Sequence, residues 1–276
     1  MRYQMLASKL IIHLIVGAGA LLMLLPLYWM VVSAFKPLPE IMTVPVTFIP
    51  VNATLENFKG LLTETFFARS MLNSTAIALA NVVLQVFFCS LAGFAFAKYR
   101  FPGREVLFTL VLGTVMIPQY VTLIPNYIVM GRIGWLDTWA PLIIPGIANA
   151  FGIFWMRQYI ATVPDELLDA ARIDGAGEFG TYWRIVVPII KPGLVTLALF
   201  IFSTSWNEFL LPLVYLRSKE LYTVQLTMAN IFRVQYKFNY HWAMASAILA
   251  TLPMGILFAT LQKQFISGLT LGGLKG

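Results

Sequence analysis

Asp169-Ala170-Ala171 opens a polar loop that continues through Gly175 and closes with Ile185-Val186-Val187-Pro188. Three residues separate the alanine pair from Gly175, and nine separate Gly175 from Ile185. Long apolar segments flank this loop on both sides.

The loop is predicted to contain two short helices. Pro164 suits the first turn of a helix, Thr162 is placed to cap it, and the acidic residues that follow favour its positive dipole end. Gly175 is expected to end this helix, because glycine adopts the left-handed conformation of a C-terminal cap at little cost. The second helix is predicted to begin near Glu178 and to present one apolar face. That face would consist of Phe179, Tyr182, Trp183 and Val186.

Two partners are conceivable for this knob of two helices. An amphipathic helix could lie on anionic lipid. The acidic residues of the loop outnumber Arg172 and Arg184, which disfavours contact with an anionic surface. The small side chains of Ala170 and Ala171 permit close approach by another protein. We therefore predict that the knob docks onto a protein.

The composition of the chain is that of a polytopic membrane protein. Its 276 residues are 59% hydrophobic and only 11% charged, whereas soluble domains carry about a quarter charged residues. Six segments have almost no charged residue between their ends, and each is long enough to cross about 30 Å of hydrocarbon as a helix. We therefore predict an all-α membrane protein, a single domain over residues 1–276 with six transmembrane helices. The predicted spans are Lys9–Lys36, Arg69–Lys98, Glu105–Arg132, Asp137–Arg157, Lys191–Arg217 and Lys237–Lys263.

The distribution of positive charge predicts the orientation of these spans. The chain has 19 Lys and Arg against 12 Asp and Glu, a net charge of +7, which in so apolar a chain reflects membrane orientation and not nucleic-acid binding. The short loop at 98–104 is strongly basic, as cytoplasmic loops tend to be. Both termini are therefore predicted to be cytoplasmic, with a cytoplasmic loop at about 162–188. The external loops would then lie at about 36–69 and 217–240, the first extended because of its prolines.

Polar residues inside the predicted spans are candidates for a transport pathway. Glu208 is a carboxylate within the fifth span, where it should face a cavity or a partner because exposure to lipid is costly. Pro118 and Pro125 are expected to kink the third span. No nucleophile–base or metal-ligand cluster and no phosphate-binding loop is present, and Cys89 lies alone in an apolar run. The candidate pathway residues are Asn207, Glu208, Gln119, Asn81 and Gln85.

The loop resembles the segment that permease subunits of ATP-binding-cassette (ABC) importers present to their ATPase. That segment is written EAA, three residues, G, nine residues, I-x-L-P; Asp169 here replaces the glutamate and Val187 the leucine. Trp206-Asn207-Glu208-Phe209 with Pro212-Leu213, and the C-terminal Gly268-Leu269-Thr270-Leu271-Gly272-Gly273-Leu274-Lys275-Gly276, resemble signatures of the carbohydrate-uptake branch. The similarity extends over nearly the whole chain.

This resemblance implies the type I importer permease fold, with a cytoplasmic coupling helix. It implies a second homologous permease, two ATPase subunits that hold ATP and Mg, and an extracytoplasmic sugar-binding protein. This chain would bind no cofactor and would lie in the prokaryotic inner membrane as a non-enzymatic permease for a sugar or oligosaccharide. The residues coupling to the ATPase would be Asp169, Ala170, Ala171, Asp174, Gly175 and Pro188. Those contacting the binding protein would be Gln225, Asn230 and Gln235.

Two other functions are compatible with the same sequence. An ion-coupled secondary transporter would use Glu208 as its ion site, but paired intramembrane charges and an inverted repeat are not evident. A membrane scaffold would use its intramembrane polar residues only as contacts between helices. Neither alternative accounts for the spacing of the loop.

Overall fold

The computed structural model describes residues 2–232 and 239–273, and the side chains of residues 9–231 and 239–262. The described residues form helices and connecting turns, and no strand occurs among them. The α-helices are α1 Arg2–Ala34, α2 Leu38–Ile41, α3 Glu56–Glu64, α4 Phe67–Lys98, α5 Arg104–Gly113, α6 Gln119–Arg132, α7 Ala140–Ile143, α8 Ala150–Ile160, α9 Asp165–Ile173, α10 Glu178–Thr181, α11 Val187–Ile189, α12 Lys191–Asn207, α13 Leu210–Tyr215, α14 Val224–Phe232 and α15 Tyr240–Gly273. Tighter 3₁₀ turns occur at Thr114–Met116, Ile144–Gly146 and Lys219–Leu221, and a π-helical turn at Tyr182–Val186.

The number of helices that suit a membrane agrees with the six predicted spans. Four segments of the described chain are long and apolar enough to cross by themselves: Lys9–Ala34, Phe67–Lys98, Ala140–Ile160 and Tyr240–Gln262. Two further segments are bent pairs of helices, Arg104–Met116 with Gln119–Arg132 and Glu178–Ile189 with Lys191–Asn207. Counting each bent pair as one broken span gives six.

The third span breaks at one of its two prolines. Pro118 lies between the 3₁₀ turn and α6, and the helix axes on either side differ by 96°. The expected kink is therefore confirmed at this proline, which lacks the amide that would continue the helix. At Pro125, by contrast, α6 is not interrupted and continues to Arg132.

The first compact unit comprises Met1–Ala68 and Met228–Leu252. Asn57 on α3 donates hydrogen bonds to the carbonyl oxygens of Ala34 and Lys36, both at 2.7 Å, and so holds α3 against the end of α1. The predicted extended loop at 36–69 is therefore only partly extended: α2 and α3 lie within it, and residues 42–55 form the irregular part. The carboxylate of Glu40 orders that part by accepting hydrogen bonds from the backbone amides of Val51 and Asn52.

The second unit, Arg69–Thr227 with Pro253–Gly276, contains the candidate site. Its core is a closely packed crossing of α4, α8 and α12. A β-carbon on Gly152 of α8 would stand 2.7 Å from the sulfur of Cys89, and one on Gly93 of α4 would stand 2.7 Å from Cβ of Met156. Small residues of this kind let membrane helices approach closely and gain packing energy. The crossing fixes the positions of the polar side chains that α4 and α8 carry.

Candidate functional site

A cavity of about 560 Å³ lies in the second unit, lined by residues of α4, α6, α7, α8, α12 and α13 and of the turns next to them. Four of the five predicted pathway residues line it. The sequence did not single out the other polar residues of the wall. The predicted ones are Asn81, Gln85, Gln119 and Glu208; the others are Asn126, Asn149, Thr204, Ser205 and Thr223.

One face of α6 forms part of the wall. Gln119, Leu123, Asn126 and Met130 line the cavity, and their spacing of four, three and four residues places them on one side of a helix. Asn126 therefore follows Gln119 by two helical turns. This spacing was the available sequence signal for Asn126, but Pro125 made the continuation of the helix doubtful.

A chain of hydrogen-bonded amides crosses the wall from α12 to α8. Asn81 donates to the hydroxyl of Ser205 at 3.0 Å and to the carbonyl oxygen of Leu142 at 3.1 Å. Gln85 donates to Asn81 at 3.1 Å and accepts from Asn149 at 2.7 Å. Asn149 is the N-cap of α8, and its side-chain oxygen accepts from the amide of Gly152 at 2.7 Å. Each amide of the chain thus holds the next in a fixed orientation.

Glu208 lies where the fifth span breaks. The sequence predicted a span up to Arg217, but α12 ends at Asn207 and α13 begins at Leu210. The carboxylate of Glu208 accepts hydrogen bonds from the amides of Leu210 and Leu211 at 2.9 and 3.1 Å. It therefore satisfies the first amides of α13, which have no partner within that helix. The break places the carboxylate in the wall of the cavity.

Asn207 does not line the cavity, although its neighbour Glu208 does. Its side-chain amide donates to the carbonyl oxygen of Ser203 at 2.8 Å, one turn back along α12, and the residue is exposed. Contrary to the prediction, Asn207 therefore does not share the cavity wall with Glu208. Asn207 is the last residue of α12, whereas Glu208 has an extended backbone in the break, so the two side chains take different directions.

The chemistry of the wall suits a neutral, hydroxylated molecule. Among the residues that line it, Glu208 alone carries a formal charge, and Lys, Arg and His are absent. Amides and carboxylates donate to and accept from hydroxyl groups in fixed directions. An anion would meet a carboxylate without a compensating cation, which is an unfavourable contact.

The knob predicted from the loop is present as α9, a turn at Gly175, α10 and the π-helical turn. Gly175 has φ of +79°, as expected for its role in ending α9. Its amide donates to the carbonyl of Arg172 and that of Ala176 to the carbonyl of Ala171, at 3.0 and 2.9 Å. This paired pattern is the Schellman cap, which favours glycine at the left-handed position. The predicted end of the first helix is confirmed.

Details of the knob differ from the prediction at both helices. Pro164, and not Thr162, occupies the N-cap of α9, and the Thr162 hydroxyl donates to the carbonyl of Tyr159. Of the two alanines, Ala170 is exposed but Ala171 is buried against the chain's own core, so only Ala170 lies where a partner has access. The two differ because adjacent helical residues face different directions.

The predicted apolar face of the second helix is divided. Tyr182 and Val186 are buried in the core, and the Tyr182 hydroxyl is hydrogen-bonded to Ser90 of α4 at 2.7 Å. Phe179 and Trp183 are instead exposed and stack on each other with ring centroids 6.4 Å apart. The π-helical turn at Tyr182–Val186 was not predicted; its extra residue per turn alters the phase of the helix, and such turns are frequent at functional sites.

Ionic contacts fix the knob internally. Arg172 pairs with Asp169 at 3.0 Å and with Glu178 at 3.3 Å, so it joins α9 to the start of α10. The hydrogen bond that Arg172 donates to Glu178 and the negative charge of Glu178 raise the pKa of the Arg172 guanidinium, and the hydrogen bond to Asp169 and its charge add to this effect. Arg172 therefore stays charged, and this connection persists at all pH values at which the carboxylates are ionised.

The remaining predicted coupling residues are on the exposed side of the loop. Asp169 and Asp174 are exposed, and Pro188 is exposed within the short helix α11. Asp174 also forms the C-terminal cap of α9 through its backbone amide. These positions, together with Ala170, are accessible to a partner.

The residues predicted to contact a binding protein fall partly on a helix. The region 217–240 was predicted to be a polar loop, but α14 occupies Val224–Phe232 within it. Gln225 is half-buried and Asn230 is exposed on this helix. Gln235 lies outside the described residues, as do Leu274, Lys275 and Gly276 of the predicted C-terminal signature.

A helical chain with four to six candidate membrane spans, a polar cavity and a helix–glycine–helix knob ahead of α12 has the architecture of the type I ABC importer permease fold. Residues 89–270 match the model of the binding-protein-dependent transport system inner membrane component, and the chain belongs to that family. It is a multi-pass membrane component of a transport system.

Curated relatives cover nearly the whole chain. It is 37% identical over 264 residues to the arabinooligosaccharides transport system permease protein AraQ of Halalkalibacterium halodurans, covering 93% of each protein. It is 33% identical over 261 residues to the lactose transport system permease protein LacG of Rhizobium radiobacter, covering 95% of this chain and 94% of that protein.

A solved structure shows the same fold. The crystal structure of a bacterial ABC transporter involved in the import of the acidic polysaccharide alginate contains a chain that matches with a TM-score of 0.86. The sequences are 23% identical, and the match covers 94% of this chain and 96% of the other. This likeness concerns the fold alone.

Proposed function

We propose that the chain is a transmembrane permease subunit of an ABC importer that moves a neutral sugar or oligosaccharide into the cell. The observation that carries the proposal is the wall of the cavity, in which amides, hydroxyls and the carboxylate of Glu208 converge without any cation. The names of the relatives AraQ and LacG refer to arabinooligosaccharides and lactose, both neutral carbohydrates. The chemistry of the wall and the names of these two relatives support this substrate class.

ATP hydrolysis by a separate subunit supplies the energy in this proposal. The assembly contains a second homologous permease, two ATPase subunits that bind ATP and Mg, and an extracytoplasmic binding protein that delivers the sugar. The knob docks on the ATPase with Asp169, Ala170, Asp174 and Pro188 at its exposed side. The knob and both termini then lie in the cytoplasm, and Gln225 and Asn230 of α14 lie on the side of the binding protein.

An ion-coupled secondary transporter has less support. Such a mechanism needs a titratable group that is free to exchange its ion. One oxygen of the Glu208 carboxylate, Oε1, instead accepts hydrogen bonds from two backbone amides at the start of α13. The residues lining the cavity include no second carboxylate and no histidine or lysine with which it could form a relay.

The test is transport by the reconstituted complex. The chain is co-expressed with its partner permease, ATPase and binding protein and placed in proteoliposomes with ATP inside. Uptake of radiolabelled lactose and of a neutral arabinooligosaccharide is compared with uptake of an oligoalginate of similar length. We expect ATP-dependent uptake of at least one neutral sugar and none of the acidic one. Uptake driven by an ion gradient without ATP, or preference for the acidic oligosaccharide, would refute the proposal.

Docking of the knob is tested by crosslinking in the same complex. Ala170→Cys should form a disulfide with a cysteine introduced in the ATPase surface cleft. Ala171→Cys is the matched control, because the adjacent alanine is buried and should crosslink poorly. Equal crosslinking at both positions, or crosslinking of neither position in an assembled complex, would contradict docking through the exposed side of α9.

A further inference from the structure

The C-terminal end of α4 is attached to the knob by the buried side chain of Lys98. The ammonium group lies 2.7 Å from a carboxylate oxygen of Asp165 at the start of α9, and it also donates to the carbonyl oxygen of Val163. The Lys98 side chain is only 5% exposed, whereas that of Asp165 is 75% exposed. A buried cation needs such partners because removal from water is costly. The start of α9 is therefore held by α4.

The next residue attaches α4 to the other half of the knob. The hydroxyl of Tyr99 donates to the carboxylate of Glu178 at the start of α10. Glu178 in turn accepts from Arg172, which also binds Asp169. Through Glu178, Tyr99 is thus connected to Arg172 in the last turn of α9. The two adjacent residues Lys98 and Tyr99 thus hold both ends of α9, and we name this set of contacts the α4 clasp.

The same helix carries two of the cavity amides. Asn81 and Gln85 lie on α4, which is continuous from Phe67 to Lys98. Gln85 and Lys98 are separated by 13 residues, which corresponds to about 20 Å along the helix at roughly 1.5 Å per residue. A helix is stiff along its axis, so a displacement of its end moves the side chains in its middle. The clasp therefore connects the knob to the cavity wall along α4, without passing through α12.

We propose that Lys98 and Tyr99 are positioning residues that transmit displacement of the knob along α4 to Asn81 and Gln85. The proposal rests on the proposed docking of the knob and adds a defined route and defined residues. When the partner moves α9, the clasp makes α4 move with it, and the amide chain of the cavity wall changes its register relative to α12. Without the clasp, the bond between Tyr182 and Ser90 and the apolar packing of the knob still join it to α4, but the polar contacts of Lys98 and Tyr99 with α9 and α10 are lost, and α4 follows the knob less closely.

The experiment measures coupling and not only activity. Tyr99→Phe removes one hydroxyl group, and Lys98→Met removes the charge while keeping the length of the side chain. Each variant is reconstituted in the full complex, and sugar uptake and binding-protein-stimulated ATP hydrolysis are measured together. We expect each variant to assemble and hydrolyse ATP, with the sugar transported per ATP reduced about tenfold. Lys98→Arg should retain coupling, since a guanidinium can bind both Asp165 and the Val163 carbonyl.

Matched controls separate the clasp from general effects. Tyr120→Phe alters an exposed tyrosine of α6, and Lys59→Met alters an exposed lysine of α3; both should leave the coupling ratio unchanged. An unchanged ratio in Tyr99→Phe and Lys98→Met would overturn the proposal, and so would a parallel loss of assembly, hydrolysis and uptake. Failure of the proposed function itself is distinguishable, because the unaltered complex would then show no ATP-dependent uptake.

Discussion

Gly193 of α12 lies directly against the aromatic ring of Tyr159 of α8. A β-carbon at Gly193 would stand 2.7 Å from Cγ of that ring, a separation that real β-carbons essentially never have. The carbonyl oxygen of Gly193 also accepts a hydrogen bond from the Trp155 indole at 3.2 Å. The spacing of α8 and α12 therefore depends on the absence of a side chain at this position.

Gly193→Ala should consequently destabilise the protein by about 1–3 kcal/mol, the usual cost of forcing extra atoms into a packed contact. The measurement is thermal unfolding of the detergent-solubilised chain. Gly255→Ala is the matched control, because a β-carbon there meets nothing within 4 Å in α15. Replacing glycine by alanine in a helix normally stabilises it by up to about 1 kcal/mol. Equal stability changes at the two glycines would contradict the close contact.

Glu208→Ala should lower sugar uptake in proteoliposomes by about tenfold or more. The substitution removes both the wall carboxylate and the acceptor for the amides of Leu210 and Leu211. Glu208→Gln keeps an oxygen at that place and should retain most of the uptake. The two variants separate the role of Glu208 as a hydrogen-bond acceptor from the role of its charge. A similar loss of uptake in both variants would show that the charge is what matters. Full uptake in Glu208→Ala would remove the residue from the pathway.

Gly175→Val should abolish coupled uptake while the chain still inserts in the membrane. Valine at φ of +79° incurs a cost of about 1–2 kcal/mol, and it redirects the chain between α9 and α10. Gly177→Val is the control two residues later, because Gly177 has φ of −69° and open space around it. Sugar uptake and the amount of membrane-inserted protein are measured for both variants. Equal uptake would show that the turn does not need its left-handed residue.

Asp137 anchors the connection between α6 and α7 to the segment after α13. Its carboxylate accepts hydrogen bonds from the hydroxyl and amide of Ser218 and from the amide of Arg217, and these bonds lower its pKa. Asp137→Asn should reduce stability by about 1 kcal/mol, because hydrogen bonds to a charged group are replaced by weaker ones at a partly solvated site. Asparagine tolerates the positive φ of 58° here, so backbone strain does not contribute.

The difference in stability between the unaltered protein and Asp137→Asn should depend on pH in a defined direction. Since folding lowers the pKa of Asp137, its contribution is fully present above the unfolded value near 4 and is lost as pH falls through the lower folded value. The stability gap between the unaltered protein and Asp137→Asn should therefore be constant from pH 8 to about 5 and narrow only below about 4. Thermal unfolding across this range measures it. A gap that closes between pH 7 and 5 would contradict the anchor.

The sequence predicted the elements whose cause is local. Gly175 ends α9 because a left-handed residue is needed there, and Pro118 breaks the third span because it lacks an amide. The amides Asn81, Gln85 and Gln119 were recognisable as wall residues since polar groups inside apolar spans need a polar surrounding. Composition and charge spacing were sufficient for the number of spans.

What the sequence did not predict depends on contacts between distant segments. Asn149 precedes α8 in a turn, and its place in the wall follows from its bond to Gln85, 64 residues earlier. The break at Glu208 is stabilised by its carboxylate, which accepts hydrogen bonds from the first amides of α13. The pattern of apolar residues does not predict such a break. The inward direction of Ala171 follows from how α9 lies on the core, and Lys98 gave no sign of its burial beneath the knob.

The amide chain of the wall has a consequence for the affinity of the cavity. Asn81, Gln85 and Asn149 already bind one another, so a sugar hydroxyl that bonds to one of them displaces an existing hydrogen bond and adds little net energy. In the proposed importer, the cavity would therefore bind a sugar only weakly. A conduit must release its cargo as readily as it accepts it, and the mutual satisfaction of these amides favours brief residence and rapid exit.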